Sequence, residues 1–245
     1  MQPNNKTYSV SVVIPAFNEE KMLSACLTAL SKQHYAGFIE VIVVDNNSTD
    51  KTADVAATFK GKLPIRVIHE KLKGRSPARR AGFAAAKGDI LFSTDADTIV
   101  PPTWIEDIVP YFSTPTIAAV TGTCKIEDCS KRINTTFNLL QPQFMKQYRL
   151  VFGHYWLSGF NFAIRKEAYE RSGGFDPSLN AQEDTDLAFR VHKIGKIKFI
   201  NQPKVIFSGR RMKNGLILGL YPYAKSYGMY LLNKRGNHVV LSDVR

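Results

Sequence analysis

Cysteine is scarce in this chain of 245 residues. Cys26, Cys124 and Cys129 are too few and too scattered for a disulfide framework, and no second Cys/His pair completes a zinc pattern around Cys124 and Cys129. They read as reduced thiols. Long hydrophobic runs are lacking too: the longest nearly apolar stretches, Phe38 to Val44 and Gly215 to Ala224, fall well short of the ~20 residues that span a bilayer, so no transmembrane helix is predicted. Met1 to Tyr8 is polar, without a basic stretch leading into an apolar one, so a cytoplasmic protein is expected. No internal repeat, low-complexity stretch or Pro/Gly/Ser linker divides the chain, which favours one unit over separate domains. Acidic residues are in deficit, 21 Asp plus Glu against 33 Lys plus Arg, for a net charge of +12. Such a surface attracts anions, and nucleic acid, anionic lipid headgroups and phosphorylated substrates all fit that sign.

What is present is a chain with 44% hydrophobic residues, enough to bury a large core. Tyr8 to Ala16 is apolar and β-branched, and Glu19 to Lys32 follows with Met22, Leu23, Cys26, Leu27 and Leu30 at helical spacing. Phe38 to Val44 has the continuous hydrophobicity of a strand buried on both faces, and Ser48-Thr49-Asp50 is placed to cap the next helix. Leu63 to His69 reads as a strand, Pro77 to Ala86 as a helix, Asp89 to Thr94 as a strand, and Pro102 to Phe112 as a helix opening on proline. This alternation predicts an α/β fold, a mostly parallel sheet flanked by helices. Beyond a further strand, Ile117 to Thr121, the order loosens into Asn134 to Trp156, crowded with Phe, Leu, Tyr and Trp. One domain over 1–245 is expected: a half at about 8–121, a second half at about 122–212, and a helical tail at about 213–245.

In open parallel sheets ligands bind beyond the carboxyl ends of the strands. Three polar segments fall there: Pro15-Ala16-Phe17-Asn18-Glu19-Glu20, Asp45-Asn46-Asn47-Ser48 and Asp95-Ala96-Asp97. Asp95 and Asp97 flank a small residue, so backbone and carboxylates can approach a ligand closely. Hard oxygen donors suit Mg²⁺ or Mn²⁺, which keep coordination sites for substrate phosphates. Taken alone, an Asp-x-Asp is more simply a helix cap beside a solvated loop residue.

The segments PAFNEE at 15–20, VVDNNSTDKT at 43–52, ARRAGFAAAKGDILFSTDAD at 78–97 and SGFNFAIRKEAYERSGGFDPSLNAQEDTDLAFRVHKIG at 158–195 together resemble family 2 glycosyltransferases, in order and spacing, over roughly Ser9 to Phe207. The resemblance implies a GT-A-type fold with a nucleotide-sugar-binding half at about 8–121 and an acceptor-side, catalytic half at about 122–212, a nucleotide-sugar donor, most often a UDP-sugar, a divalent metal and, usually, inversion at the anomeric carbon. It also implies roles. Pro15, Ala16 and Glu19 look like the nucleoside pocket, Asp45 like the carboxylate facing the base, and Arg79 like an arginine near nucleoside and diphosphate. Asp95 would lie near ribose and metal, Asp97 would ligate the metal, and Gly159 and Asn161 would line the donor sugar. Glu183-Asp184 resembles the family's ED pair, with Asp184 similar to a general base. Three departures stand out: Asn46 and Asn47 after Asp45, Arg80 after Arg79, and Ser208-Gly209-Arg210-Arg211 where many relatives place a metal-binding histidine after the last strand.

Arg210 and Arg211 offer a physical substitute, because guanidinium groups pair with phosphate and neutralise a departing diphosphate; a solvated basic loop is the plainer alternative. For Glu183, Asp184 and Asp186 the plainer role is to open a helix, where acidic residues are favoured, and this is compatible with a carboxylate aimed into a crevice. After Pro222, taken as a first helical residue, Ala224, Tyr227, Gly228, Leu231 and Lys234 recur at helical spacing beside Lys225 and Arg235. That stripe suits packing on its own domain or on a partner, and also an anionic membrane at its inner face. Two rival readings fit less well. A sugar nucleotidyltransferase would carry a Gly-rich, Arg-containing loop after the first strand, unlike PAFNEE. A non-catalytic binder of lipid or nucleic acid would not need carboxylates around a cation, and these argue against nucleic acid in particular. The acceptor, whether glycan, lipid-linked or protein, is left open by these residues.

Overall fold

The computed structural model describes residues 7–179 and 181–232. Its frame is one eight-stranded sheet in the order β3-β2-β1-β4-β7-β6-β8-β5. Strands β1 (Val10–Ala16), β2 (Ile39–Asp45), β3 (Ile65–His69) and β4 (Ile90–Ser93) run parallel, joined by helices α1 (Leu23–Leu30), α2 (Thr52–Ala57) and α3 (Arg75–Ala85). The antiparallel strand β7 (Phe162–Arg165) joins β4 to β6 (Ile117–Lys125); β8 (Lys196–Phe207) pairs parallel with β6, and the short β5 (Thr98–Ile99) folds back on the end of β8. Four of the seven pairings are therefore parallel.

The strand period of two sends alternate side chains to opposite faces. Val10, Val12 and Ile14 of β1 enter one core with Leu23 and Leu27 of α1, while Val13 enters the other with Ala78 and Phe83 of α3. Both faces are covered, which is why these strands read as unbroken apolar runs. A fully buried Leu or Val of this kind contributes roughly 1.5–3 kcal/mol relative to exposure.

Several boundaries differ from the sequence reading. The helix expected from Pro102 begins at α4 (Trp104–Ile108) and tightens into a 3₁₀ turn over Val109–Ser113, because Pro110 has no N–H to continue the α-helical ladder. The crowded segment after β6 is one 22-residue helix, α5 (Lys131–Phe152), opened by Ser130, whose Oγ accepts from the Ile133 N–H, and closed by Gly153 at φ +78°. Of the Ser48-Thr49-Asp50 cluster, Asp50 meets the start of α2, its Oδ1 accepting from Thr52 N. Pro222 lies inside helix α8 (Leu216–Leu232), not at its first turn, because the apolar face already begins at Leu216. Lys234 and Arg235 lie outside the described residues. The remaining helices are α6 (Lys166–Arg171) and α7 (Glu183–Val191). Among the described residues no helix is long and apolar enough to cross a membrane.

Candidate active site

A cavity of about 1310 Å³ opens at the carboxyl ends of β1 and β4 and runs between α5 and α8. Its polar end is organised by one arginine. Arg79, projecting from α3 and 3% exposed, donates through Nη2 to Asp95 Oδ1 at 2.6 Å, pairs through Nη1 with Glu183 Oε1, and reaches Ser93 Oγ through Nε at 3.4 Å. Ser93 in turn donates to the Gly159 carbonyl at 2.7 Å. Three segments distant in sequence, around Ser93 and Asp95, Gly159 and Glu183, are thereby tied to one guanidinium, whose fixed fork of donors suits such bridging.

Asp184 stands beside this cluster at the start of α7. Its Oδ2 accepts from Gly159 N at 3.0 Å and its Oδ1 from Thr185 N at 2.8 Å, which fixes the carboxylate plane. Burial raises the Asp184 carboxyl to about 6, the Glu183 charge adds to the rise, and Arg79 with the two amides pulls the other way. Gly159 is required by space: a Cβ there would lie 2.6 Å from Arg79 Nη2 and 3.1 Å from Asp184 Oδ2. The residue before the Glu-Asp pair, Gln182, holds a left-handed backbone at φ +63°, an uncommon state for a non-glycine residue that costs on the order of 1–3 kcal/mol. Its side chain is fastened by a hydrogen bond from Thr185 Oγ1 at 2.9 Å.

Across the cavity, Arg210 joins the first and last strands. Its Nη2 lies 2.8 Å from Glu19 Oε1 and 2.9 Å from Asp97 Oδ2. Burial pushes Asp97 up to about 7, the nearby Asp95 charge adds to it, and Arg210 opposes it. Among the described residues no three His, Cys, Asp or Glu side chains gather as a metal cage. Asp95 and Asp97 still offer hard oxygen donors in the cavity, and the burial and repulsion that raise Asp97 are conditions a dication relieves. Carboxylate oxygens of this kind are the hard donors that Mg²⁺ or Mn²⁺ would take.

The other expected residues divide. Pro15, Ala16, Glu19, Gly159, Glu183 and Arg211 line the cavity, with Arg211 also stacked over the Tyr223 ring of α8. Asp45 does not line it: at the end of β2, its Oδ2 is 3.1 Å from His69 Nδ1 and its Oδ1 accepts from Ser48 N. Asn161, expected beside the donor sugar, is instead fully buried in the core, accepting from Trp104 Nε1 at 2.8 Å and donating to the Thr123 carbonyl at 2.9 Å. A buried amide is stable only where donor and acceptor are both met, and these partners lie inside the fold.

Sequence reasoning missed three contributors. Asn46, noted only as a departure from the usual pattern, reaches into the loop before α3: its Nδ2 donates to the Glu70 and Leu72 carbonyls and its Oδ1 accepts from Gly74 N. Lys73, with Nζ 4.9 Å from the Phe17 ring centre, lines the cavity with it. The third is the apolar wall: its α5 side had as its signal only an aromatic-rich segment without assigned structure, while its α8 side falls in the tail read as helical but not placed at the site.

An Asp-x-Asp at the end of a parallel strand, an arginine tying it to an opposed carboxylate pair, and a sheet of this order define a GT-A-type fold. Solved structures agree. S. aureus TarS 1-349 in complex with UDP-GlcNAc superposes with a TM-score of 0.68 at 18% identity, covering 96% of this chain and 68% of that one. The mannosyltransferase PcManGT from Pyrobaculum calidifontis, in complex with GDP-Man and Mn2+, gives 0.65 at 24% identity, covering 91% and 66%. The chain belongs to glycosyl transferase family 2, whose profile matches residues 11–173. "Probable glycosyltransferase YdaM" of Bacillus subtilis (strain 168) is 33% identical over 203 residues, 76% of this chain and 47% of that protein. "Beta-monoglucosyldiacylglycerol synthase" of Synechocystis sp. is 28% identical over 192 residues, 75% of this chain and 40% of that protein. The chain thus spans about half the length, or less, of these relatives.

Proposed function

We propose that this chain transfers a sugar from a nucleoside diphosphate donor, a UDP-sugar, to an acceptor hydroxyl by inverting single displacement, with Asp184 as general base. The observation that carries the reading is the single cavity in which Arg79 links Asp95 to Glu183 while Gly159 holds Asp184 beside them. Family membership supports the transferase activity, and solved neighbours that carry UDP-GlcNAc or GDP-Man support a nucleotide-sugar donor.

The roles follow from charge and reach. Pro15, Ala16 and Glu19 border the nucleoside, and Arg79 and Arg210 offer positive charge to the diphosphate. Asp95 and Asp97 would hold a divalent cation, which supplies charge to stabilise the leaving diphosphate. Asp184, with both oxygens aligned by backbone amides, takes the proton of the acceptor hydroxyl as that oxygen bonds to the anomeric carbon. The bond from that carbon to the diphosphate breaks, and its electron pair leaves with the phosphate.

The test is a thermal-shift screen of UDP- and GDP-sugars with and without Mn²⁺, followed by donor hydrolysis under the same conditions. A ligand that binds only the folded state must raise its apparent stability. A metal-dependent rise with a UDP-sugar, with slow release of UDP, is expected. A protein that no nucleotide sugar stabilises would refute the reading.

A further inference from the structure

Exposed apolar side chains are not spread evenly over this molecule. Among the described residues thirteen large hydrophobic side chains are exposed, and ten of them lie on α5 and α8; only Phe38, Leu72 and Ile99 are elsewhere. Leu150 is 86% exposed, Val151 74%, Ile217 85% and Leu218 69%. Neither helix contains an Asp or Glu, whereas Lys131, Arg132, Lys146 and Arg149 on α5 and Lys225 on α8 are exposed cations.

This surface is continuous with the active-site cavity. Leu140, Phe144 and Val151 of α5 and Leu216, Ile217 and Leu220 of α8 line the same cavity as Arg79 and Asp184. The helices meet where Tyr227 packs on Tyr148 and Phe152, with ring centres 6.1 and 6.0 Å apart. At about 1310 Å³ the cavity exceeds the roughly 300–1,000 Å³ of an ordinary small-ligand site. A water-soluble sugar acceptor is recognised by hydrogen-bonding groups, and although Gln147 and Tyr223 also line this wall, most of its side chains are apolar.

Resting on the transferase reading above, we propose that the acceptor is a membrane lipid. Its hydroxyl-bearing headgroup reaches Asp184, its hydrocarbon chain lies between α5 and α8, and the outward faces of the two helices rest on an anionic bilayer surface. Exposed apolar side chains together with exposed cations, and helices without carboxylates, are features that bind a helix to such a surface. A second copy of the chain is a poorer occupant, because a two-fold contact would set the same cations of both copies against each other.

The chain has two tryptophans: Trp156 is partly exposed and lines the cavity, and Trp104 is fully buried. Phosphatidylcholine–phosphatidylglycerol vesicles with brominated acyl chains, compared with unbrominated ones, report chain contact through fluorescence quenching. Quenching in the native protein that disappears in Trp156→Phe is expected. The double variant Val151→Asp/Ile217→Asp changes only exposed positions, so its melting curve should match the native one while vesicle affinity falls at least about tenfold. Vesicle binding without bromine quenching would overturn the proposal, leaving surface adhesion alone. Absence of vesicle binding, or sedimentation showing a dimer dispersed by the double variant, would overturn it as well. Failure of UDP with Mn²⁺ to bind while quenching persists would instead sink the transferase reading and with it the acceptor role, so the two failures are told apart.

Discussion

The β1–β4 half and the α5–α8 half use apolar side chains in opposite directions. In the first, strand residues such as Val12, Ile42 and Leu91 and the α1 residues Leu23 and Leu27 are fully buried, and exposed apolar residues are few. In the second, α5 buries Phe137, Met145 and Tyr148 but leaves Leu139, Leu150 and Val151 in the open. Stability alone accounts for the first pattern, since each buried side chain contributes to the fold. The second is not needed for folding, because an exposed Leu contributes little; it is these side chains that the proposal above sets against lipid. Between the halves lies the polar cluster around Arg79, the seam at which the proposed transfer would take place.

Breaking the seam should have the largest effect. Asp184→Asn is nearly isosteric but cannot take a proton, so turnover should fall about 10²- to 10⁴-fold with donor affinity little changed. The native enzyme should show the matching pH dependence. Because the carboxyl is raised to about 6 and only its ionised form accepts a proton, activity should fall about tenfold per pH unit below that value and level off above it. Near-native transfer by the variant would remove Asp184 from the role of base. On the other wall, Asp97→Asn replaces a carboxylate with a poorer ligand for a hard dication. Calorimetry should show Mn²⁺-dependent binding of UDP weakened at least about tenfold, and unchanged affinity would detach Asp97 from the cation.

Smaller effects sharpen the contrast between the halves. Leu27→Ala removes a side chain with no solvent exposure and should cost about 2–5 kcal/mol in denaturant unfolding, whereas Leu150→Gln on α5 should stay within about 0.5 kcal/mol. Similar costs at both positions would mean that α5 is covered as the sheet is. Between these lies Asn161→Ala, which strands the Trp104 indole N–H and the Thr123 carbonyl. A loss of about 1–3 kcal/mol with donor affinity intact is expected, and the reverse outcome would return Asn161 to the donor site.

Much of the first half was legible because its signals are local. Unbroken apolar runs mark strands covered on both sides, and the polar segments at Glu19 and Asp95 fall where such strands end. The second half is harder to read. Asn134 to Trp156 carries apolar residues both on the buried face, with Phe137, Met145 and Tyr148, and in the open, with Leu139, Leu150 and Val151, so apolar content alone does not mark which face turns inward. Asn161 lies in a motif-bearing segment, yet its partners come from Trp104 and Thr123, 57 and 38 residues away, and a sequence records no such meeting.

The sequence by itself determined the alternation of strands and helices, the placement of Asp95 and Asp97 beyond a buried strand, and the excess of positive charge, because each depends on residues near one another in the chain. Only the tertiary structure decided that Arg210 meets Glu19 across 191 positions, that Arg79 gathers Asp95 and Glu183, that Asn161 serves the core, and that α5 and α8 extend the cavity with an apolar wall. The physical reason is the same in each case. Charge pairing and apolar contact act over a few ångströms whatever the separation along the chain, so their partners are fixed only when the sheet has brought the segments together.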